Sequence, residues 1–480
     1  MPAPSSSASD PCLLDARDLL GRLRRRELSA REVMAAHLAR IERINPQINA
    51  IVALLDADAA LALADEADAR LRRGEPVGAL HGLPFAFKDM QPAVGFPCTM
   101  GSTILRNNRP VADSVLVERI RRAGALPIGK TNVPEFGLGS HTYNAVYGTT
   151  RNPWNPAMSA GGSSGGAGAA LAARLLPLAD GGDMGGSLRN PANFNNVVGF
   201  RPSPGVVPNA PSSLPFGSLT VSGPMARNVA DAALLLSVIA GEDARDPASL
   251  PIDAAGFAAP LGRDLRGVRI AWCPDLGGLP LDRRVRSVID ARRSVFEELG
   301  CIVEEAQPDL RGADDVFQTL RAFSVATLLG PLLERFRAQL KPEAIWNIEK
   351  GQALSGVDVG RAMGAQATLL DRMRSFFERH DFLVCAVNQV PPFDAALDWP
   401  KSIEGVEMEH YIAWMKSAYW ITATLHPAIS VPAGFTPEDL PVGIQIVGRA
   451  RGDRGVLELA HAFETATGFG RRRPALESDA

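Results

Sequence analysis

Three serines stand in two glycine-rich patches between Gly161 and Pro191, in the sequence GGSSGGAGAALAARLLPLADGGDMGGSLRNP. A serine hydroxyl attacks a carbonyl carbon efficiently only when a neighbouring base takes its proton. Histidine is the most frequent base of this kind, and this stretch contains none. If one of these serines is a nucleophile, its base must come from elsewhere in the chain.

A phosphate-binding loop is one alternative for the two patches. Glycine-rich loops before helices bind anions through free backbone N–H groups. However, the stretch has no G-x-x-x-x-G-K-[ST] motif, and GGSSGGAG does not fit G-x-G-x-x-G. The sequence therefore disfavours a nucleotide site here.

A second alternative is the nucleophile elbow of α/β-hydrolases, because residues 161–165 match G-x-S-x-G. The elbow needs a buried strand before it, whereas the preceding RNPWNPAMSA contains two prolines and predicts a loop. Such an esterase would also need a histidine, and the candidates stand in no marked motif: His380, His410, His426 and His461. This alternative stays open but is disfavoured.

A third interpretation places the nucleophile in the second patch. The segment RLLPLADGGDMGGS predicts a strand that enters a tight glycine turn, with Ser187 at its tip. The backbone N–H groups of residues 184–187 could then converge on one point and bind an oxyanion.

Lys88 is the candidate base for Ser187. It follows Phe85 and Phe87 in GLPFAFKDM, whose alternation predicts a short buried strand. Burial lowers the pKa of a lysine from its usual value of about 10.4. Ser163 could pass a proton between Ser187 and Lys88, because a hydroxyl both donates and accepts. A strand-end lysine that simply reaches solvent is the alternative.

This constellation resembles the amidase signature family of hydrolases. The core of the resemblance is residues 161–203, from GGSSGGAGAA to GGDMGGSLRNPANFNNVVGFRPS, with 24 residues from Ser163 to Ser187. Further blocks occur in the family order, so that the resemblance covers nearly the whole chain. They are GLPFAFKDM at 82–90, GKTNVPEFG at 129–137, GPMARNVADAALLL at 223–236, and PAISVPAGF with LPVGIQIVG at 427–448.

The resemblance implies a Ser–cis-Ser–Lys triad, with Ser187 as nucleophile and Lys88 as base. Ser163 is then the bridging serine, preceded by a cis peptide bond. The implied oxyanion hole consists of Met184, Gly185, Gly186 and Ser187. Three other matching positions would brace these loops: Ser164, Asp183 and Arg189. The resemblance implies no metal and no organic cofactor.

The chain departs from the common family pattern near the site but not at the triad. Asp-Thr-Gly-Gly-Ser becomes Asp-Met-Gly-Gly-Ser at 183–187, Phe-Cys-Gly becomes Phe-Asn-Asn at 194–196, and Leu-Lys-Pro-Thr becomes Phe-Arg-Pro-Ser at 200–203. These changes leave the substrate open. The resemblance implies hydrolysis of an aryl or alkyl amide, an anilide or a cyclic amide, and a carbamate (urethane) is chemically close.

A different role in the same family is the A-type subunit of a tRNA-dependent amidotransferase, which works with a partner protein. The chain lacks the stretch expected of such subunits after the catalytic region, so this role is the alternative. A small-molecule amide or carbamate is the expected partner, and a homodimer stays open.

The elements that must position these residues alternate between helices and strands. Ser29 and Glu32 form a capping box before a helical pattern that ends at Pro46. Helices are expected at 113–123, 164–175, 228–240 and 283–299, and strands at 125–130, 175–181, 267–273 and 301–305. The predicted fold class is therefore α/β, a single large domain with a central mixed sheet covered by helices on both faces.

The domain is expected to span residues 11–475, after a disordered tail at 1–10. Residues 310–420 are expected to be mainly helical and to wall the substrate pocket. Their aromatic residues suggest an apolar, aryl-binding pocket, with core packing as the alternative: Phe317, Phe323, Trp346, Trp414, Tyr419 and Trp420.

Composition excludes several classes of function. The formal net charge is −3, which leaves no basic footprint for nucleic acid or a membrane surface. The five cysteines form no CxxC pair, which argues against a disulfide scaffold or a zinc site. No signal peptide and no apolar run of about 18 residues is apparent. A cytoplasmic protein without a membrane span is expected.

Overall fold

The computed structural model describes residues 10–476. The tail predicted to be disordered lies outside the described residues, apart from Asp10. The helices are α1 (Ala16–Arg24), α2 (Ala30–Ile48), α3 (Ala57–Arg72), α4 (Val115–Arg122), α5 (Gly165–Ala172), α6 (Arg189–Asn195), α7 (Val229–Ile239), α8 (Arg283–Asp290), α9 (Arg293–Glu298), α10 (Ala313–Phe336), α11 (Pro342–Gln352), α12 (Gly356–Phe377), α13 (Lys416–Ala423) and α14 (Asp453–Thr467).

The strands are mostly short and lie between these helices, as the alternating sequence pattern predicts. They are β1 (Ile51–Val52), β2 (Pro84–Lys88), β3 (Leu126–Thr131), β4 (Tyr143–Asn144), β5 (Gly148–Thr149), β6 (Arg151–Asn152), β7 (Asn155–Ser159), β8 (Leu178–Asp183), β9 (Val198–Arg201), β10 (Val221–Ala226), β11 (Arg269–Trp272), β12 (Ile302–Glu305), β13 (Phe382–Ala386), β14 (Ser402–Ile403), β15 (Val406–Glu407), β16 (Ala428–Phe435) and β17 (Pro441–Gly448).

The central sheet has eight strands in the order β12-β11-β13-β17-β16-β9-β10-β8. Strands β12, β11 and β13 are parallel, and the pairs from β13 to β8 are antiparallel. The sheet is therefore mixed, as predicted. A separate three-stranded sheet, in the order β1-β3-β2, carries Lys88, and its strand β2 contacts β8 at the edge of the central sheet.

Helices cover both faces of the central sheet, which confirms the predicted fold class. Successive side chains of a strand point to opposite faces. In β13, Phe382 and Val384 belong to one hydrophobic core, which also contains Phe463 of α14. Leu383 belongs to a second core, which also contains Phe317 of α10.

Several predicted element boundaries differ from the structure. The capping box of Ser29 and Glu32 is present, but α2 continues through Pro46 to Ile48. The helix expected at 283–299 is two helices, α8 and α9. The loop expected in RNPWNPAMSA contains the two-stranded hairpin β6–β7, because this short ribbon pairs outside the main sheets and so tolerates Pro156 in β7.

One helix is long and apolar enough to cross a bilayer by length and composition, although the sequence pattern predicted no such segment. It spans Ala313–Gln339, and half of its most apolar stretch is buried inside the protein. A core helix of this length has the same composition.

Candidate active site

Lys88 lies in a buried position at the end of β2. Every residue of this strand is buried, and the rings of Phe85 and Phe87 pack at 5.2 Å between centroids. The backbone N–H of Lys88 donates to Asp180 Oδ1 at 3.0 Å. Burial lowers the pKa of the Lys88 ammonium to about 8, while the negative charges of Asp180 and Asp183 oppose the shift. The strand-end lysine therefore does not reach solvent.

Ser163 and Ser164 stand just before α5 and both contact this lysine. Lys88 Nζ lies 2.8 Å from Ser163 Oγ and 2.9 Å from Ser164 Oγ, and 3.3 Å from the carbonyl oxygen of Gly182. The peptide bond between Gly162 and Ser163 is cis, as the resemblance implies. The lysine and the first glycine patch are thus brought together across 75 residues of sequence.

Close backbone packing explains why the start of α5 is rich in glycine. A Cβ atom on Gly166 would lie 2.2 Å from the backbone nitrogen of Asn132. A Cβ atom on Gly165 would lie 2.2 Å from Thr142 Oγ1. A side chain at either position would collide with these atoms, so the close approach requires glycine.

Ser187 lies at the end of the second glycine turn, directly after β8. Gly186 has a φ of 108°, which favours glycine. The N–H of Gly186 donates to Asp183 Oδ1 at 2.9 Å, so it is not free to bind an oxyanion. Within residues 10–476, the N–H groups of Met184, Gly185 and Ser187 have no hydrogen-bond acceptor. Of the four N–H groups predicted for the oxyanion hole, these three therefore have no acceptor among the described residues.

A buried ion cluster holds the turn in place. Asp183 accepts hydrogen bonds from the guanidinium groups of Arg189, at 3.0 and 2.9 Å, and Arg201, at 3.2 Å. It also accepts from the N–H of Leu188 at 3.2 Å. Burial alone would raise the pKa of the Asp183 carboxyl, but the charges of Arg189 and Arg201 hold it well below its usual range. The carboxylate therefore stays ionised and fixes both ends of the turn.

Arg201 is the member of this cluster to which sequence reasoning gave no role. Its guanidinium is fully buried and also donates to the carbonyl oxygen of Asp183 at 2.6 Å. Burial lowers the pKa of Arg201 to about 10. The available signal was the segment 200–203, where arginine stands in place of the family's usual lysine.

The three triad candidates line one cavity of about 520 Å³. Its floor contains Lys88, Ser163 and Ser187, together with Met184 and Gly185. Its walls are mainly aliphatic and methionine side chains: Met90, Met100, Leu105, Leu116, Leu138, Val325, Leu328, Leu329, Leu332, Ile412 and Met415. The arrangement offers a buried amine, hydroxyl groups and free N–H donors beside an apolar space.

Helix α10 forms one wall of this cavity, but most of the predicted aromatic residues do not reach it. Of the six aromatic residues considered, only Phe317 lines the cavity, and Trp414 and Tyr419 are buried in the second core. The aryl-binding wall predicted from these residues is therefore largely aliphatic. The rings of Trp414 and Tyr419 pack in the core, because aromatic side chains bury large apolar areas there.

None of the histidines required by the esterase alternative lines the described cavity. His426 lies against the carbonyl oxygen of Thr424, and His380 stacks on Phe376. His410 contacts Gln318 at 3.2 Å. None of the four candidate histidines is therefore in the cavity that Ser163 lines.

Comparison with known proteins gives the family. The amidase family model matches residues 32–457. An acylamidase of Rhodococcus erythropolis is 36% identical over 465 residues, which are 96% of this chain and 97% of that protein. The chain therefore belongs to the amidase signature family, and its reaction class, hydrolysis of an amide C–N bond, is confirmed.

Two further relatives bear on the alternatives. The crystal structure of a bacterial aryl acylamidase of the amidase signature family superposes with a TM-score of 0.89, at 31% identity, and covers 96% of this chain and 99% of that chain. The A-type subunit of the glutamyl-tRNA(Gln) amidotransferase of Thermosynechococcus vestitus is 33% identical over 484 residues, covering 96% of this chain and 99% of that protein.

Proposed function

We propose that the protein is an amidase that hydrolyses an apolar amide through an acyl-enzyme on Ser187, with Lys88 as base and Ser163 as proton relay. The observation that carries this proposal is the distance of 2.8 Å between Lys88 Nζ and Ser163 Oγ, at the floor of the cavity that Ser187 also lines. A buried amine beside a hydroxyl is the arrangement that a serine nucleophile without histidine requires.

The contacts of Lys88 suit a neutral amine. A neutral amine has two N–H donors and one lone pair. Its two donors can go to Ser164 Oγ and to the carbonyl oxygen of Gly182, which lie 2.9 and 3.3 Å away. The lone pair is then directed to Ser163, whose hydroxyl donates its proton. With a pKa of about 8, about a tenth of Lys88 is neutral at pH 7, and this fraction rises with pH.

The Ser187 hydroxyl must come close to the Ser163 hydroxyl for the proposed reaction. Within the described residues the hydroxyl of Ser187 makes no hydrogen bond to Ser163, so the two hydroxyl groups must approach each other before the proton passes between them. In this step Ser187 Oγ bonds to the carbonyl carbon, its proton passes to Ser163, and the Ser163 proton passes to Lys88. The negative oxygen that forms is stabilised by the free N–H groups of Met184, Gly185 and Ser187.

The second half of the reaction returns the proton. Lys88 gives it back through Ser163 to the leaving nitrogen, the C–N bond breaks, and the acyl group remains on Ser187. Water then attacks the ester, assisted by the same relay, and releases the acid and the free serine. Asp183 and Arg189 contribute to these reaction steps only by holding the glycine turn that carries Ser187.

The cavity favours amides with apolar substituents. Its aliphatic walls suit the activities for which two relatives are named, an acylamidase and an aryl acylamidase, so acyl anilides and alkyl amides are the first substrates to test. A carbamate fits the same mechanism, because Ser187 would keep the alkoxycarbonyl group while the amine leaves. Cyclic amides remain a third class.

An amidotransferase A-type subunit is the second candidate, favoured by the 33% identity to the Thermosynechococcus vestitus protein. Such a subunit would release ammonia from a small amide for a partner. In both roles we assign residues 11–475 to one catalytic domain. A cytoplasmic location and a homodimer stay predictions from the sequence.

The test is a hydrolysis screen with the purified chain alone. We expect turnover of an acyl anilide, an alkyl amide or an aryl carbamate, and a loss of about a thousandfold or more in kcat/KM for Ser187→Ala and for Lys88→Ala. Matched controls are Ser375→Ala and Lys401→Ala, which change exposed residues. Near-normal turnover at pH 7 by Lys88→Ala would refute the triad. Hydrolysis of glutamine alone, with no anilide or carbamate turnover, would favour the amidotransferase.

A further inference from the structure

Asp180 is a buried carboxylate that the proposed mechanism does not use. It lies in β8, on the edge of the central sheet, and its side chain is inaccessible to solvent. Its Oδ1 accepts the backbone N–H of Lys88 at 3.0 Å. Lys88 belongs to the other sheet, so this hydrogen bond joins the strand that carries the base to the strand that leads into the glycine turn.

The second oxygen of this carboxylate has no partner. Asp180 Oδ2 is buried and makes no hydrogen bond within residues 10–476. Burial raises the pKa of the Asp180 carboxyl to about 6, while its backbone bond to Lys88 and the charges of Lys130 and Lys88 act in the opposite direction. The carboxylate is therefore ionised at neutral pH, and no guanidinium group compensates its charge.

The charges around Lys88 come from few elements. Strand β8 contributes Asp180 and Asp183, and the strand β3 beside β2 contributes Lys130, which donates to the carbonyl oxygen of Gln91 at 2.5 Å. Asp89 follows Lys88 in the chain and is bound to Thr99. Helix α5, next to the serines, has no charged residue.

The two aspartates of β8, Asp180 and Asp183, differ in their bonding partners. Asp183 forms ion pairs with the guanidinium groups of Arg189 and Arg201. Asp180 has no such ion pair within the described residues, and it is bonded directly to the main chain of Lys88. In a buried setting, a carboxylate whose charge is opposed only by the ammonium groups of Lys88 and Lys130 acts strongly on those groups.

We propose that Asp180 is a positioning residue for the catalytic lysine, which fastens the main chain of Lys88 to β8 and whose negative charge sets how readily Lys88 gives up its proton. This inference rests on the proposed role of Lys88 as base. It assigns to β8 two carboxylates with separate tasks, one holding the glycine turn and the other holding and tuning the base.

The substitution Asp180→Asn separates the two tasks. The asparagine Oδ1 can still accept the N–H of Lys88, but the negative charge is gone. A lysine without this charge loses its proton at lower pH. Because the neutral amine is the active form, the acid limb of kcat/KM against pH should move to lower pH.

The experiment measures kcat/KM for an acyl anilide in the wild type and in Asp180→Asn over about four pH units, from about pH 5.5 to about pH 9.5. We expect the midpoint of the acid limb, near 8 in the wild type, to fall by about one pH unit. On the limb, kcat/KM then rises by up to about tenfold, while the plateau is equal or lower. A purely structural role would lower kcat/KM equally at all pH values and leave the midpoint in place, and that result would overturn the proposal.

Further variants cover the case in which Asp180→Asn does not fold and supply a control. Asp180→Asn leaves Lys130 with one carboxylate fewer, so the pair Asp180→Asn with Lys130→Met removes both charges and serves if the single variant does not fold. Removal of the Lys130 charge acts on Lys88 in the opposite direction, so the reference for this pair is Lys130→Met alone, from which the midpoint should fall by about one pH unit. The matched control is Asp231→Asn, another buried carboxylate whose pKa burial raises to about 6, which binds the N–H groups of Ala16 and Arg17 and should leave the midpoint unchanged.

Failure of this inference is distinguishable from failure of the proposed function. If Lys88→Ala keeps its activity, the triad is wrong and the pH profile carries no information on Lys88. If Lys88→Ala is inactive but the midpoint does not move in a folded Asp180 variant, the triad stands and only the role of Asp180 is refuted.

Discussion

The cavity has two unlike sides, which we call the catalytic floor (residues 161–166 and 180–189 with Lys88) and the helical wall (residues 317–332 of α10). The floor is almost entirely buried and joined by hydrogen bonds between polar groups. The wall meets the cavity mainly through aliphatic side chains, and some, such as Leu328, are half exposed.

Packing around glycine shows the same difference. A Cβ atom on Gly166 of the floor would lie 2.2 Å from a backbone nitrogen, whereas a Cβ atom on Gly330 of α10 would meet nothing nearer than Gln352 Nε2 at 3.8 Å. Apart from chain neighbours, the backbone of the floor is therefore closely packed at this glycine, whereas the wall is open at Gly330.

The largest effect is expected from the ion cluster of the floor. Asp183→Ala leaves the guanidinium groups of Arg189 and Arg201 buried without their carboxylate, so the free energy of unfolding should fall by about 3–5 kcal/mol, measured by urea denaturation at pH 7. The folded-state pKa of Asp183 lies below its unfolded value, so this stability is present at neutral pH and is lost only as the pH falls into the acid range.

The control for the floor is an exposed ion pair. Asp65→Ala removes the partner of Arg31, and both side chains are about half exposed. This pair should contribute less than about 1 kcal/mol. If Asp183→Ala cost no more than Asp65→Ala, the cluster would not be what holds the turn.

The floor was the more predictable side. The serines, the lysine and the bracing residues stand in sequence blocks with fixed spacing, and the strand pattern before Lys88 is regular, so family and fold class followed from the sequence. The structure then brings Lys88 to Ser163. The role of Arg201 was not predicted, because its contact with Asp183 arises where β9 and β8 both pair with β10. No local sequence pattern encodes that pairing.

Two other features could not be read from the sequence. The resemblance implied that the N–H of Gly186 takes part in the oxyanion hole, and in the structure this N–H donates to Asp183 Oδ1, a contact that depends on the turn geometry. The aromatic residues of 310–420 suggested an aryl-binding pocket, with core packing as the alternative, and of the six residues named only Phe317 lines the cavity. The face of a helix that meets a cavity depends on tertiary packing. An aromatic ring can be buried in several directions with a similar gain in packing free energy, so the sequence alone does not fix its direction.

A smaller effect is expected at the wall, and it should appear in KM. Leu328 lines the cavity and is 47% exposed, so Leu328→Ala removes contact with an apolar substrate without opening the core. KM for an acyl anilide should rise about three- to tenfold, with kcat unchanged within about twofold. Val111→Ala, at a 97% exposed position outside the cavity lining, should leave KM unchanged. A drop in kcat with constant KM would instead place Leu328 among the groups that act in the transition state.

The smallest expected effect tests whether the wall is packed as loosely as its glycine indicates. Gly330 lies inside α10 directly before Pro331, and apart from its chain neighbours an added Cβ atom would meet nothing nearer than 3.8 Å. The helix gain of Gly330→Ala is therefore opposed by contact with the proline ring, and the free energy of unfolding in urea should change by less than about 1 kcal/mol, with the same KM. Gly166→Ala is the matched change in the floor, and there the methyl group meets backbone atoms and should destabilise the fold. If both substitutions destabilised the protein to a similar extent, the wall would be as tightly constrained as the floor, and substrate selection would have to lie in residues 208–211, Thr220 and Ser222, which also line the cavity.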